Sequence, residues 1–196
     1  ALHGLSLPEF FCLYFNTPGR ERKGVKVYNT GQKVTFSEAA MAFYQRENSG
    51  AQERYDYREY EVFRFPVHLH RHPELALCFS GQTVLEVDSR RETMRAGQAA
   101  LILPSRPHAY GGEAGSRIAV VVFSVSCAQD FFQAVRGLSG EKAVFLPGKA
   151  CFEAAAAFLH PENNRYTRQA GLYALCGCCM EQVRFVQADA GEGPLR

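Results

Sequence analysis

"FPVHLHRHPELALCFSG", residues 65–81, is the stretch on which the fold turns. Three histidines and a glutamate fall between His68 and Glu74. The first half continues an alternation that begins in "YEVFRFPVHLH". A strand there puts Phe63, Phe65, Val67 and Leu69 on one face and Arg64, His68 and His70 on the other. Pro73 ends that strand and keeps His72 out of the set. "ELALCFSG" predicts a second strand, stopped by Gly81. If Glu74 faces inward, Ala76, Cys78 and Ser80 share its face, and side chains this small predict a hollow. Leu75, Leu77 and Phe79 then fill the opposite face.

Further short strands follow: "TVLEVD", "QAALILP" and "RIAVVVFSV", divided by "DSRR", Gly97 and "GGEAG". No helix-length pattern intervenes, so residues 59–126 predict a mostly antiparallel sandwich or barrel. Residues 1–58 are mixed. "SLPEFFCLYF" predicts a short helix capped by Ser6, and Ser37 to Asn48 a second one, ended by Gly50. The polar stretch between them, around residues 17–33, predicts an exposed loop, an arm or a lid over the barrel. Residues 127–196 turn helical. The last helix, Arg165 to Gln187, carries Leu172, Cys176, Cys179, Val183 and Val186, spaced four, three, four, three. That spacing fits a coiled-coil seam and equally a helix lying on its own barrel. The fold class is therefore mainly β with a C-terminal α segment.

Composition bounds the function. The chain has 196 residues, 46% hydrophobic and 21% charged, enough apolar material for a core without a disulfide or metal staple. A formal charge of +2 is too small to argue for nucleic acid or a membrane surface as partner. No apolar run approaches a membrane span. Seven cysteines, an odd number at irregular spacing, predict reduced thiols and a cytoplasmic setting. The "CGCCM" of residues 176–180 offers Cys176 and Cys179 on one helical face but no partner pair, and predicts small buried hydrophobes or idle thiols.

The chemistry concentrates at the histidines. Imidazole and carboxylate suit Zn, Fe, Mn or Ni, and His108, after "ILPSRP", is a candidate fourth ligand beside His68, His70 and Glu74. Three readings stay open: a divalent metal site, a polar pocket without cofactor, and a solvated strand end. Candidate ligand contacts in a pocket are Arg64, which suits an anionic or polyol ligand, with His68, His70, Glu74, Cys78 and His108. Tyr110 and Arg106 are candidate rim contacts on the loop after Pro104.

The pattern His68-x-His70, then Glu74, then Gly81 resembles the first motif of the cupin superfamily, and Gly97, Pro104 and His108 resemble the second. The second motif departs from the family pattern: Arg106 stands where glycine is usual, and one residue fewer precedes the histidine. The resemblance implies a double-stranded β-barrel (jelly roll). It also implies a metal held, where one is bound, by His68, His70, Glu74 and His108. A barrel followed by helices, over residues 59–188, is similar to the sensor half of AraC-type transcription regulators. That implies a small-molecule effector such as a sugar or small organic acid, and a homodimer through the C-terminal helix. DNA is bound only through a helix-turn-helix half. Nothing after Gln187 has room for such a half and the chain starts without Met, so a sensor piece of a longer protein is expected. The alternative is a metal-dependent cupin enzyme, an oxygenase or isomerase, using the same four residues.

Overall fold

The computed structural model describes residues 26–27, 43–44 and 54–187. Eight strands make the body of a two-sheet barrel. They are β3 (Tyr55–Glu61), β4 (Arg64–Leu69), β5 (Glu74–Ser80), β6 (Gln82–Val87), β7 (Arg90–Arg95), β8 (Ala99–Ile102), β9 (His108–Gly112) and β10 (Arg117–Phe123). Two short strands, β1 (Lys26–Val27) and β2 (Phe43–Tyr44), add parallel edges to β3 and β4. A 3-10 turn (Val125–Ala128) leads to α1 (Gln129–Ala134), and β11 (Leu138–Gly140), β12 (Val144–Phe145), α2 (Lys149–Phe158), α3 (Arg165–Gln182) and β13 (Phe185–Gln187) complete the order. The larger sheet runs β1-β3-β10-β5-β8-β12 and the facing sheet β2-β4-β9-β6-β7, while β11 and β13 form a separate ribbon. The jelly-roll expectation and the C-terminal helices hold. All pairings among β3 to β10 are antiparallel.

The two faces of β5 explain the layers. Ala76 and Cys78 enter the cluster between the sheets, with Leu85, Met94, Ala100, Ile102, Tyr110, Ile118 and Val120. Leu75 and Leu77 enter a second cluster, with Ala119, Val121, Phe123, Phe131, Phe152, Leu159 and Leu172, beneath the helices. A sheet covered on both faces needs continuously apolar strands, which is why "ELALC" and "IAVVVF" do not alternate. Gly81 makes the corner after β5. Its φ is +63°, and a Cβ there would stand 2.7 Å from the Gly115 carbonyl oxygen.

Several expectations change. Within the span read as a helix, Ser37–Asn48, Phe43–Tyr44 form β2, and the other positions lie outside the described residues. The helix capped by Ser6, and most of the loop of residues 17–33, lie outside the described residues. The last helix stops at Gln182 rather than Gln187. Val183 is extended, and Phe185–Gln187 turns back as β13 against β11. The seam of that helix belongs to its own core: Leu172, Cys176, Cys179 and Val183 are all buried in the cluster under the larger sheet. Of the two readings of the spacing, the helix lying on its own barrel is the one found. Asn164 caps α3, its side-chain oxygen accepting from the Thr167 amide at 3.0 Å. The sheets also draw strands from outside residues 59–126, at β1, β2, β3 and β12.

Candidate metal centre

A bulge in β4 builds the centre. Phe65 pairs with Tyr110 and His68 pairs with His108, so β4 advances three residues while β9 advances two. The extra residue, at Pro66–Val67, reverses the alternation. Phe63 and Phe65 on one side of the bulge and His68 on the other then face the barrel interior together: Phe63 stacks on Tyr60, and Phe65 meets His68 edge-on at 4.4 Å between centroids. Arg64 is thrown to the outside. It is exposed and its Nε donates to the Gly112 carbonyl at 2.9 Å, so the expectation that Arg64 shares the His68 face is corrected.

His68 from the end of β4, His70 just beyond it, Glu74 at the head of β5 and His108 at the head of β9 converge. Their candidate ligand atoms all lie within 4.8 Å of one another. All four are buried, at 3%, 1%, 3% and 1% exposure respectively. The His68 and His108 rings are 4.1 Å apart between centroids, His70 and His108 5.1 Å.

Each imidazole is anchored through Nδ1. His68 Nδ1 lies 3.0 Å from the Pro66 carbonyl, His70 Nδ1 2.7 Å from that of His72, and His108 Nδ1 2.8 Å from that of Arg106. A carbonyl only accepts, so Nδ1 carries the proton in all three rings. Nε2 is thereby left to face the centre, the arrangement found where histidines hold metals. His108 Nε2 is buried without a hydrogen-bond partner among the described residues. A buried polar atom in that state is costly unless something unrecorded satisfies it.

Glu74 is held at Oε1, and its Oε2 faces the unprotonated Nε2 of His70. Tyr110 donates its hydroxyl to Oε1 at 2.5 Å, and His70 Nε2 lies 3.2 Å from Oε2. His108 Nε2 stands 3.6 Å from Oε1. Burial alone would raise the Glu74 pKa, but His108 and His70 outweigh it and hold the carboxyl well below the usual carboxylate range. Burial, reinforced by the neighbouring His108, pushes His68 well below the usual imidazole value. Burial and the Glu74 charge push the Tyr110 phenol well up. Neutral His68, ionised Glu74 and a protonated Tyr110 are the states a divalent cation needs from its ligands and their support. Three nitrogens and one carboxylate match Zn, Fe, Mn or Ni, so the residues present fit a metal.

The remaining candidates fall elsewhere. Cys78 lies in the packed interior with its thiol turned toward the carbonyls of Ser80 and Gly81, at 3.4 and 3.8 Å. Tyr110 is not on a rim: it is a fully buried residue of β9 that positions Glu74. His72 is buried, and its carbonyl holds His70 Nδ1. Arg106 does the same for His108 while pairing its guanidinium with Asp88 at 3.2 Å. The expected hollow is filled. The small side chains of β5 face Leu85, Met94 and Tyr110, all at 0% exposure. Sequence reasoning missed the supporting carbonyl of Pro66 and the edge contact of Phe65. The available signal was Pro66 itself, since proline inside a strand marks an edge or a bulge.

Residues 61–125, from the end of β3 to the 3-10 turn, match the family model for the cupin domain. The barrel is a cupin fold. The matched segment contains all four residues of the centre. No curated protein matches the chain in sequence. Among solved structures it is similar to ToxT from Vibrio cholerae, at 9% identity and a TM-score of 0.46, over 70% of this chain and 60% of that one. It is also similar to the AraC-like transcriptional activator CuxR, at 11% identity and a TM-score of 0.44, over 61% of this chain and 46% of that one. An RmlC-like cupin from Shewanella frigidimarina aligns at 18% identity and a TM-score of 0.33, over 36% of this chain and 65% of that one. Among the described residues no helix is long and apolar enough to cross a membrane.

Proposed function

We propose that this chain is the sensing and dimerisation module of an AraC-type transcription regulator, and that its signal is read at the histidine–glutamate centre. The observation that carries the reading is the buried quartet itself, with each Nδ1 tied to a carbonyl and His108 Nε2 without a hydrogen-bond partner among the described residues. Because the middle of the barrel is packed, the signal is a divalent ion or a small ligand on that ion, not a bulky molecule in the interior. A metal there supplies a focused positive charge, which favours an oxygen-rich effector such as a small organic acid or sugar. Glu74 and the imidazoles hold it, and Tyr110 keeps Glu74 oriented. In this reading DNA is recognised by a helix-turn-helix half distinct from these residues.

The dimer contact lies on the outer face of α3. Tyr166, Tyr173 and Met180 are 82%, 41% and 48% exposed. Ala170 and Gly177 lie exposed between them. Large and small side chains alternate there at coiled-coil spacing, which a second copy fills by the same pattern. Elemental analysis and calorimetric titration with Zn, Mn, Ni and Fe test the centre, and sedimentation of the wild type against Tyr166→Asp/Tyr173→Asp tests the dimer. The expected results are about one ion per chain, and a dimer that the double substitution dissociates. A protein that binds none of these ions sinks the metal-sensing reading, and a monomeric wild type sinks the dimer. Steady turnover of a small oxygen-rich substrate by the metal-loaded protein would transfer the assignment to a cupin oxygenase or isomerase.

A further inference from the structure

Six free thiols lie among the described residues. Cys78, Cys127, Cys176 and Cys179 are buried, whereas Cys151 of α2 and Cys178 of α3 are half-buried. Those two meet. Their Sγ atoms are 3.4 Å apart, although 27 positions separate them in the chain. The helices that carry them are packed tightly at a second point, where a Cβ on Gly171 would stand 3.0 Å from Phe158 Cβ and 3.3 Å from the Ala155 carbonyl oxygen. Two anchored helices therefore hold two partly accessible thiols in contact. A disulfide needs the sulfurs about 1.4 Å closer.

We propose that Cys151 and Cys178 form a reversible dithiol–disulfide site that clamps α2 to α3 when the protein meets a low-molecular-weight disulfide. One of the two, as thiolate, attacks one sulfur of the small disulfide, whose S–S bond breaks, and one small thiol leaves, taking up a proton. The other cysteine then gives up its proton and displaces the second small thiol, closing the protein S–S bond. Two protein thiols are oxidised by two electrons, and one small disulfide is reduced to two thiols. Burial, with the adjacent Cys151, pushes the Cys178 thiol up to about 11. Either cysteine can open the small disulfide, the other then resolving the mixed disulfide. The site lies outside the barrel interior and does not depend on the metal centre.

The test is incubation of the full chain with excess glutathione disulfide at pH 8, followed by intact mass and peptide mapping. The expected product is a chain lighter by two hydrogens, with a Cys151–Cys178 peptide that dithiothreitol cleaves. Its thermal midpoint rises by roughly 5 °C or more. Cys178→Ser should instead accumulate one stable glutathione adduct at Cys151, and Cys151→Ser should form no intramolecular link. A wild-type chain left fully reduced, one carrying unresolved glutathione on both cysteines, or a link to Cys176 or Cys179 would each overturn the proposal.

Discussion

The β4–β5 segment and helix α3 are both rich in residue types that bind metals, yet one converges and the other disperses. His68, His70, Glu74 and His108 reach one another from three strands. Cys176, Cys178 and Cys179 sit within four residues on one helix and share no site. Cys176 and Cys179 pack beneath the larger sheet, while Cys178 turns to Cys151. Density of ligand types in the sequence does not make a site. Convergence does, and in the β segment it comes from a bulge and from cross-strand pairing. On a helix, neighbours one apart diverge by about 100°, so adjacent cysteines cannot share a ligand.

The sharpest way to break this contrast is His68→Ala/His70→Ala. Metal affinity should fall by more than ~100-fold, beyond what losing a supporting partner costs, read by calorimetry. Full retention would mean the quartet is not the centre. Tyr110→Phe comes next. Removing the hydroxyl that orients Glu74 should weaken metal by roughly 10- to 100-fold with all four ligands still present. Equal affinity would show that Tyr110 only fills space.

The helix makes its own prediction, in stability. Burial pushes the thiols of Cys176 and Cys179 up to about 12. The folded chain keeps both protons where the unfolded chain begins to lose them, near the ordinary thiol value. Their contribution is complete below that value and is lost as pH rises toward the folded pKa. Urea midpoints should therefore fall between about pH 9 and 12, on the order of 1 kcal/mol per thiol per pH unit. Cys176→Ala/Cys179→Ala should flatten that slope and leave metal binding unchanged. The smallest effect is expected for Arg64→Ala. Its side chain is outside the barrel, so affinity should move by less than ~2-fold and stability by about 1 kcal/mol at most. A large loss of affinity would mean that the bulge does not turn Arg64 away.

Much of the barrel is legible in the residues. "ELALCFSG" and "RIAVVVFSV" become β5 and β10, whereas "YEVFRFPVHLH", read as one strand, divides at Val62–Phe63 between β3 and β4 of different sheets. The inward placing of Ala76 and Cys78 against the outward placing of Leu75 and Leu77 follows from period two alone. What stays hidden are the short pieces β1, β2, β11, β12 and β13, of two or three residues each. Strands that short carry no period and exist because a distant partner pairs with them. The α3 spacing was readable, but not its destination, since a helix stripe buries equally well against a sheet or a second helix.

By itself the sequence determined where the central barrel strands run, the helical character of the C-terminal third, and the presence of three imidazoles and a carboxylate near strand ends. Each is a local property, set by side-chain periodicity and backbone preference over a few residues. Only the tertiary structure decided that the imidazoles turn inward while Arg64 turns out, that Tyr110 serves Glu74 rather than a rim, and that bulky side chains from the facing sheet close the expected hollow. One inserted residue reverses every side chain beyond it, and the opposite wall of a barrel is built from residues remote in the chain.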